Sequence, residues 1–162
     1  MLHLVKRYSE LRFSQLMEVY EEGNLENAQA FWPDLSENEQ ILRAEQEFGA
    51  YLREDFFKND GAYYALWEEN GKYRSALRLE PYEDGMLLEA LETRPDCRGK
   101  GYATMLMQAV LAIETRKIYS HVSKKNTASL RTHEKCGFQK ILDHAVYVDG
   151  SVSTNSVTLC KA

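Results

Sequence analysis

Between Met86 and Val122 the chain reads as a strand, a glycine-rich loop, a helix and a second strand, and this order restricts the fold more than any other feature. Met86 to Thr93 alternates in apolar residues. Gly101 to Arg116 carries Ala103, Leu106, Val110 and Ile113 on one helical face, and Ile118 to Val122 is a short apolar run. Two strands joined through a helix are expected to lie parallel in one sheet, since parallel neighbours need a crossover of about a dozen residues or more. The junction Arg98-Gly99-Lys100-Gly101 then stands where a strand gives way to a helix N-terminus, in the middle of that sheet.

Upstream, strand-like runs at Ala62 to Trp67, Lys72 to Leu79 and Met86 to Thr93 are separated by the hairpin pair Asn70-Gly71 and the turn Glu83-Asp84-Gly85, which predicts an antiparallel meander. Ser36 with Glu39 three residues later is a capping box for a helix. Its Ile41, Ala44, Phe48, Leu52 and Phe56 form one apolar stripe. The start predicts a strand over His3 to Tyr8 and a helix over Phe13 to Glu22 ended by Gly23-Asn24, with Asn24 to Pro33 a loop bearing Phe31 and Trp32. Downstream, a helix from Asn126 to Lys135 stops at Cys136-Gly137, and Phe138 to Val148, Asp149-Gly150 and Ser151 to Leu159 read as a closing hairpin. The fold class expected is α/β of mixed α+β character: one domain over residues 1–162, its central mixed, mostly antiparallel sheet of about seven strands flanked by about four helices.

The charge balance narrows the partners. Against 25 Asp and Glu stand 20 Lys and Arg, a net charge of -5, and the acidic residues are scattered rather than gathered in a tail. Binding to a phosphate backbone through bulk charge is therefore disfavoured, and no nucleic-acid partner is expected. No apolar run approaches the roughly 20 residues of a membrane span, and no apolar segment follows Lys6 and Arg7, so a cytoplasmic protein without a membrane partner is expected. Cys97, Cys136 and Cys160 are widely spaced and odd in number, which suggests reduced structural thiols. His3, His121 and His144 lack paired ligand spacing, and no metal is expected.

Chemistry concentrates at the glycine loop. Small residues where a loop enters a helix leave unpaired N–H groups at the positive end of the helix dipole, a place for a phosphate. Two rival phosphate patterns fail on spacing. Gly99-x-Gly101 has Thr104 where a dinucleotide fingerprint needs a third glycine, and the Gly-x-x-x-x-Gly-Lys-Ser/Thr loop is absent.

The longer pattern Leu91-x-Thr93-x-Pro95-x-x-Arg98-Gly99-x-Gly101-x-Ala103 resembles the acyl-CoA signature of the GNAT N-acetyltransferase superfamily. Val122-x-x-x-Asn126-x-x-Ser129, followed by Lys135-Cys136-Gly137-Phe138, resembles that family's second conserved block. Together these cover about a third of the chain, Met86 to Phe138; the first 60 residues carry no assignable motif. The resemblance implies the GNAT fold and acetyl-CoA as acyl donor. It implies that the amides of Arg98, Gly99, Lys100, Gly101, Tyr102, Ala103 and Thr104 hold the pyrophosphate and that main-chain groups of Leu91 and Thr93 pair with the pantetheine. Asn126 and Ser129 would stand near the pantetheine and its phosphates. Where the family has an aliphatic residue this chain has Thr93, a departure without consequence for a main-chain role.

Acetylating an amine demands acid–base help, because an alkylamine of pKa about 10.4 costs roughly 4.6 kcal/mol to deprotonate at pH 7. Glu89 is the candidate base: it lies on the strand entering the signature, with the alternation of Leu91 and Thr93, while Glu92 falls on the other face. A structural role at a strand edge is the alternative. The family commonly has a tyrosine seven residues after the asparagine of the second block to protonate the leaving thiolate; here His133 occupies that position, and an imidazole N–H is the candidate donor. Tyr119 and Tyr102 are fallback donors, and Phe31, Trp32, Phe56 and Phe57 are candidates for an acceptor pocket.

The reading is an acetyl-CoA-dependent N-acetyltransferase acting on a primary amine of a small molecule or peptide by direct transfer. The acidic balance favours a cationic acceptor, and the Asp149-Gly150 hairpin leaves a homodimer open. The alternative is a non-catalytic acyl-CoA-binding or interaction module on the same fold.

Overall fold

Residues 1–162 are described by a computed structural model. Its sheet grows from the meander outward. Strands β2 (Tyr63–Glu69), β3 (Lys72–Tyr82) and β4 (Gly85–Thr93) pair antiparallel in sequence. Asn70 (φ 52°) and Gly71 (φ 75°) make the first turn, the conformation that an Asn-Gly pair accepts and other residues resist. Strand β1 (Leu2–Val5) adds antiparallel to the outer side of β2.

On the other flank β4 runs parallel to β5 (Ile118–Ser123), joined through helix α4 (Tyr102–Ile113) as the order of elements predicts. Strand β9 (Ser156–Lys161) pairs antiparallel with β5 and also with β6 (Gln139–Leu142), giving the order β1-β2-β3-β4-β5-β9-β6. Seven strands with one parallel junction is the expected mixed sheet.

Each face carries its own core. On one, Leu77, Leu79 and Leu88 of the sheet pack with Leu106, Met107 and Val110 of α4, while Leu130 of α5 (Thr127–Lys135) leans against them. On the other, Tyr64, Leu66 and Ala76 meet Leu16 and Val19 of α1 (Phe13–Val19) and Leu52 of α3 (Glu37–Glu54), together with Phe56. Burial of each such Leu or Phe contributes about 2 kcal/mol, and it is these stripes rather than helix propensity that hold the helices down. Ser36 accepts the Glu39 N–H at the head of α3, as the capping box requires. No helix is long and apolar enough to cross a membrane.

Several expectations need correction. Gly23-Asn24 does not end a helix. The chain breaks at Tyr20, and α2 (Glu21–Phe31) runs through the stretch expected as a loop, bringing the helices to five. Gly23 has no positive φ there, so it is no left-handed cap, and Glu21 and Glu22 suit the first turn of α2. Helix α4 stops at Ile113, not Arg116, because Glu114 leaves the helix and its carboxylate receives the Arg116 amide and guanidinium and the Tyr63 hydroxyl. The first strand ends at Val5, and Tyr8 begins a single 3-10 turn.

The closing segment also divides. After β6, short strands β7 (Ala145–Val146) and β8 (Val152–Ser153) form a separate ribbon. Tyr82 donates to the Val146 carbonyl (2.5 Å) and Thr158 to the His144 carbonyl (2.7 Å), which pins this ribbon over β3 and β9.

The parallel junction is tight at its start. A Cβ on Gly85 would come 2.1 Å from the Lys117 carbonyl oxygen, which accepts the Met86 N–H at 2.9 Å. Gly85→Ala is expected to force β4 from β5 and lower stability by about 1–3 kcal/mol in urea unfolding; an unchanged midpoint would contradict this close approach.

Candidate active site

Strands β4 and β5 share three residue pairs, Met86 with Ile118, Leu87 with Tyr119 and Leu88 with Ser120, and then diverge. Past Leu88, β4 keeps only β3 as a neighbour and β5 only β9. The gap leads toward the head of α4. Gly99 (φ 77°) and Gly101 (φ 81°) shape the loop there, and a Cβ at either would meet nothing within 4 Å. Conformation, not crowding, asks for glycine, and the space above the loop is open. The amides of Arg98 through Thr104 have no partner in the protein, the first bonded one being Met105 N–H to the Gly101 carbonyl.

A cleft of about 320 Å³ joins this loop to the end of β4 and the first turns of α5. Leu91, Thr93, Arg98, Gly99, Gly101, Tyr102, Ala103, Thr104 and Ser129 line it, so nine of the residues expected to contact the acyl donor are brought together. Lys100 and Asn126 do not line it. Lys100 is exposed, and Asn126 caps α5 by accepting the Ser129 N–H at 3.1 Å. Glu92 lines the cleft as well, and Cys97, Ala128 and Thr132, which sequence reasoning missed, complete the walls. Outside the cleft, Arg98 pairs with Glu22 (2.5 Å), Arg94 with Glu18 and Asp96, and Tyr102 donates to Glu69 (2.7 Å), so the loop is braced from α1, α2 and β2. A run of orphaned amides at a positive helix end, opening on an extended slot, fits the diphosphate and arm of a CoA thioester.

A bulge in β4 divides the two halves of the site. Arg78 pairs with Glu89 and Ala76 with Glu92, so Ala90 and Leu91 together oppose Leu77, and Ala90 takes φ 53°. The simple alternation expected from the sequence fails here. Glu89 and Glu92 share the face of α1 and α3, whereas Leu91 packs with the α4 core and Thr93 sits opposite Ser75 on that side. Tyr20 holds the bulge by donating to the Ala90 carbonyl (2.7 Å). Behind it runs a hydrogen-bonded chain: Arg78 donates to the Tyr64 oxygen (3.4 Å), and Tyr64 to that of Tyr20 (3.1 Å).

Glu89 is therefore displayed beneath the helical layer, paired with Arg78 at 3.2 Å. Beside it lies Glu80 of β3, only 7% exposed, and the two carboxyls are in contact. Burial, and then the charge of Glu89, push the Glu80 carboxyl up to about 7. Neighbouring Tyr64, Tyr20 and Glu89 keep the Arg78 guanidinium firmly charged despite its burial. Both glutamates line a cavity of about 410 Å³ with Tyr51, Phe56 and Tyr147. Glu80 lies just past the strand expected over Lys72 to Leu79, because β3 continues through Pro81 to Tyr82. Its alternation with Arg78 was the available signal.

His133 needs correction. It is 1% exposed; its Nδ1 lies 2.7 Å from the Ser129 carbonyl, which can only accept, so Nδ1 carries the proton and Nε2 accepts from Ser120 Oγ at 2.8 Å. Burial holds the imidazole neutral. With its one N–H committed, it is a core group with no proton to give. Tyr102 and Tyr119 are likewise engaged, with Glu69 and Asp84. A different imidazole is unengaged: His121, one residue past the last β4–β5 pair, has a buried Nε2 without a partner and packs edge-on to Tyr82 (5.6 Å) and Tyr147 (5.2 Å). Of the aromatic candidates, Phe56 lines the cavity beside Glu89. Phe31 is 76% exposed, Trp32 stacks under Arg43, and Phe57 lines neither this cavity nor the cleft.

The fold and cleft define a class of protein, one with a parted strand pair opening beside a glycine-shaped helix N-terminus. The chain belongs to the acetyltransferase (GNAT) family, whose sequence model matches residues 17–138. Acetyl transfer from acetyl-CoA is the chemistry general to that family.

Solved structures share the architecture over almost their full length. The PaiA N-acetyltransferase of Thermoplasma acidophilum, in complex with coenzyme A, aligns with a TM-score of 0.65 at 13% identity, covering 99% of this chain and 98% of that one. A ribosomal-protein-alanine N-acetyltransferase from Brucella melitensis aligns at 0.62 and 16% identity (99% and 98%), and an IAA acetyltransferase from Bacillus cereus at 0.60 and 12% (99% and 97%). At these identities the likeness is one of fold. No curated protein sequence matches the chain.

The Glu80 carboxyl binds its proton more tightly folded than unfolded, moving from 4.5 to about 7, so its stabilisation is complete below pH 4.5 and lost as pH rises through 7. Glu80→Gln, which mimics the protonated form, is expected to gain on the wild type by about 3 kcal/mol between pH 4 and pH 9. Parallel denaturation curves at the two pH values check this; a constant difference would contradict a buried, proton-sharing pair.

Proposed function

We propose that this protein transfers an acetyl group from acetyl-CoA to a primary amine by direct attack in a ternary complex. The observation that carries the reading is the run of unpaired amides, Arg98 to Thr104, at the head of α4 beside the parted strands. These N–H groups receive the diphosphate, and main-chain groups of Leu91 and Thr93 extend β4 toward the pantetheine arm. The thioester then lies at the divergence of β4 and β5, with Glu89 on one bank and His121 on the other.

In this reading the amine nitrogen attacks the thioester carbonyl carbon, the new C–N bond forms, and the C–S bond breaks. Glu89 with its partner Glu80 accepts the proton the ammonium must lose, a task for which the carboxyl near 7 is poised at neutral pH. The leaving thiolate takes its proton on the His121 side, since His133 has none free.

Calorimetric titration with acetyl-CoA tests the donor site. The wild type is expected to bind in the micromolar range, and Gly101→Glu, whose side chain enters open space beside the diphosphate amides, to bind at least about tenfold more weakly, or 1.4 kcal/mol. A folded wild type that binds no acetyl-CoA would overturn the reading. Binding without thiol release in the presence of any amine would instead support a non-catalytic module.

A further inference from the structure

We propose that the acceptor is a small alkylamine bearing a second cationic group and no carboxylate. The inference rests on the acetyl-transfer reading and names the substrate class of that site.

Four carboxyls, Glu80, Glu89, Asp55 and Asp149, line the cavity beneath the helical layer, and no Lys or Arg lines it with them. Only Glu89 has a cationic partner. That partner, Arg78, is committed, donating to Glu89 and Tyr64 while its guanidinium lies over the rings of Tyr51 (5.3 Å) and Phe56 (5.8 Å). Glu80 is 93% buried from solvent by its 7% exposure, lines the cavity, and has no N–H or hydroxyl donor; the group it touches is a second carboxyl. A buried carboxyl in that setting is costly until a cation arrives, so the inner end of the cavity is built for an ammonium.

The outer end repeats the demand. Asp55 and Asp149 are exposed at the rim, neither forms an ion pair, and Asp149 engages one oxygen with Ser151 and leaves the other free. Carboxylates at two depths suit a molecule with two cationic ends. Between them Tyr51, Phe56 and Tyr147 present aromatic surface to an alkyl chain and its charge. At about 410 Å³ the cavity is near the lower end for small-ligand sites, which suits a short diamine rather than a folded protein segment. An amino acid would bring its own carboxylate among these four.

The test is a steady-state comparison of 1,4-diaminobutane, n-butylamine and lysine, read as kcat/KM by thiol release. The diamine is expected to exceed both others by at least about tenfold, equivalent to 1.4 kcal/mol. In the double variant Asp55→Asn, Asp149→Asn the ratio of diamine to n-butylamine should collapse to within about threefold of one, chiefly through KM. Equal use of diamine and n-butylamine, or preference for lysine, would overturn the inference and leave acetyl transfer standing. Failure of every amine in a protein that binds acetyl-CoA would overturn the transfer reading and the inference with it.

Discussion

Three parallel residue pairs join the two halves of this sheet, and the place where they stop decides where the site can be. Gly85 lets β4 start hard against Lys117, and the ladder reaches Leu88 and Ser120. Past that point the strands part, where β4 bulges at Ala90, while α4 closes the crossover with its positive end over the gap. A slot with main-chain groups along one side and orphaned amides at its end is the result. The braces on the loop, from Glu18, Glu22 and Glu69, hold it from outside without entering the slot.

The bulge at Ala90 gives the same strand two roles. Leu91 and Thr93, after it, face the α4 side and the cleft; Glu89, before it, faces α1 and α3. The hairpin register sets Glu89 beside Glu80, and without the extra residue Leu91 and Thr93 would share the face of Glu89 and turn away from the α4 side. Tyr20 ties the bulge to the helical layer, and through Tyr64 to Arg78, so the backbone distortion and the charged cluster belong to one hydrogen-bonded unit. The tyrosines, Arg78 and Glu80 are costly to bury singly. Together they satisfy one another except at Glu80, which faces the cavity.

Local signals in the sequence were legible where a residue's own chemistry fixes its conformation. Asn70-Gly71 turns, Ser36 caps, and Gly99 and Gly101 open the helix that holds the amides. The misreadings arise where conformation is imposed from a distance. Nothing about an alanine announces a positive φ, so simple alternation through Ala90 puts Glu89 on the face of Leu91 and Thr93, where the structure does not have it, while Glu92 lies opposite them as expected. Gly23-Asn24 looks like a helix stop, yet no tertiary contact draws it into the left-handed region, and the break falls at Tyr20, whose ring belongs to the core. His133 stands where a proton donor to the leaving thiolate is expected, yet its ring turns to Ser120 and Ser129, a fact set by partners on β5 and on its own helix.

Amide hydrogen exchange with and without saturating acetyl-CoA tests the central claim most directly, because it reads the main-chain groups the account relies on. Protection is predicted to rise at Arg98 to Thr104 and along Glu89 to Thr93, with little change in β1 and β2. Unchanged exchange in both stretches, or protection confined to another part of the chain, would contradict the claim that the parted strands and the head of α4 hold the acyl donor.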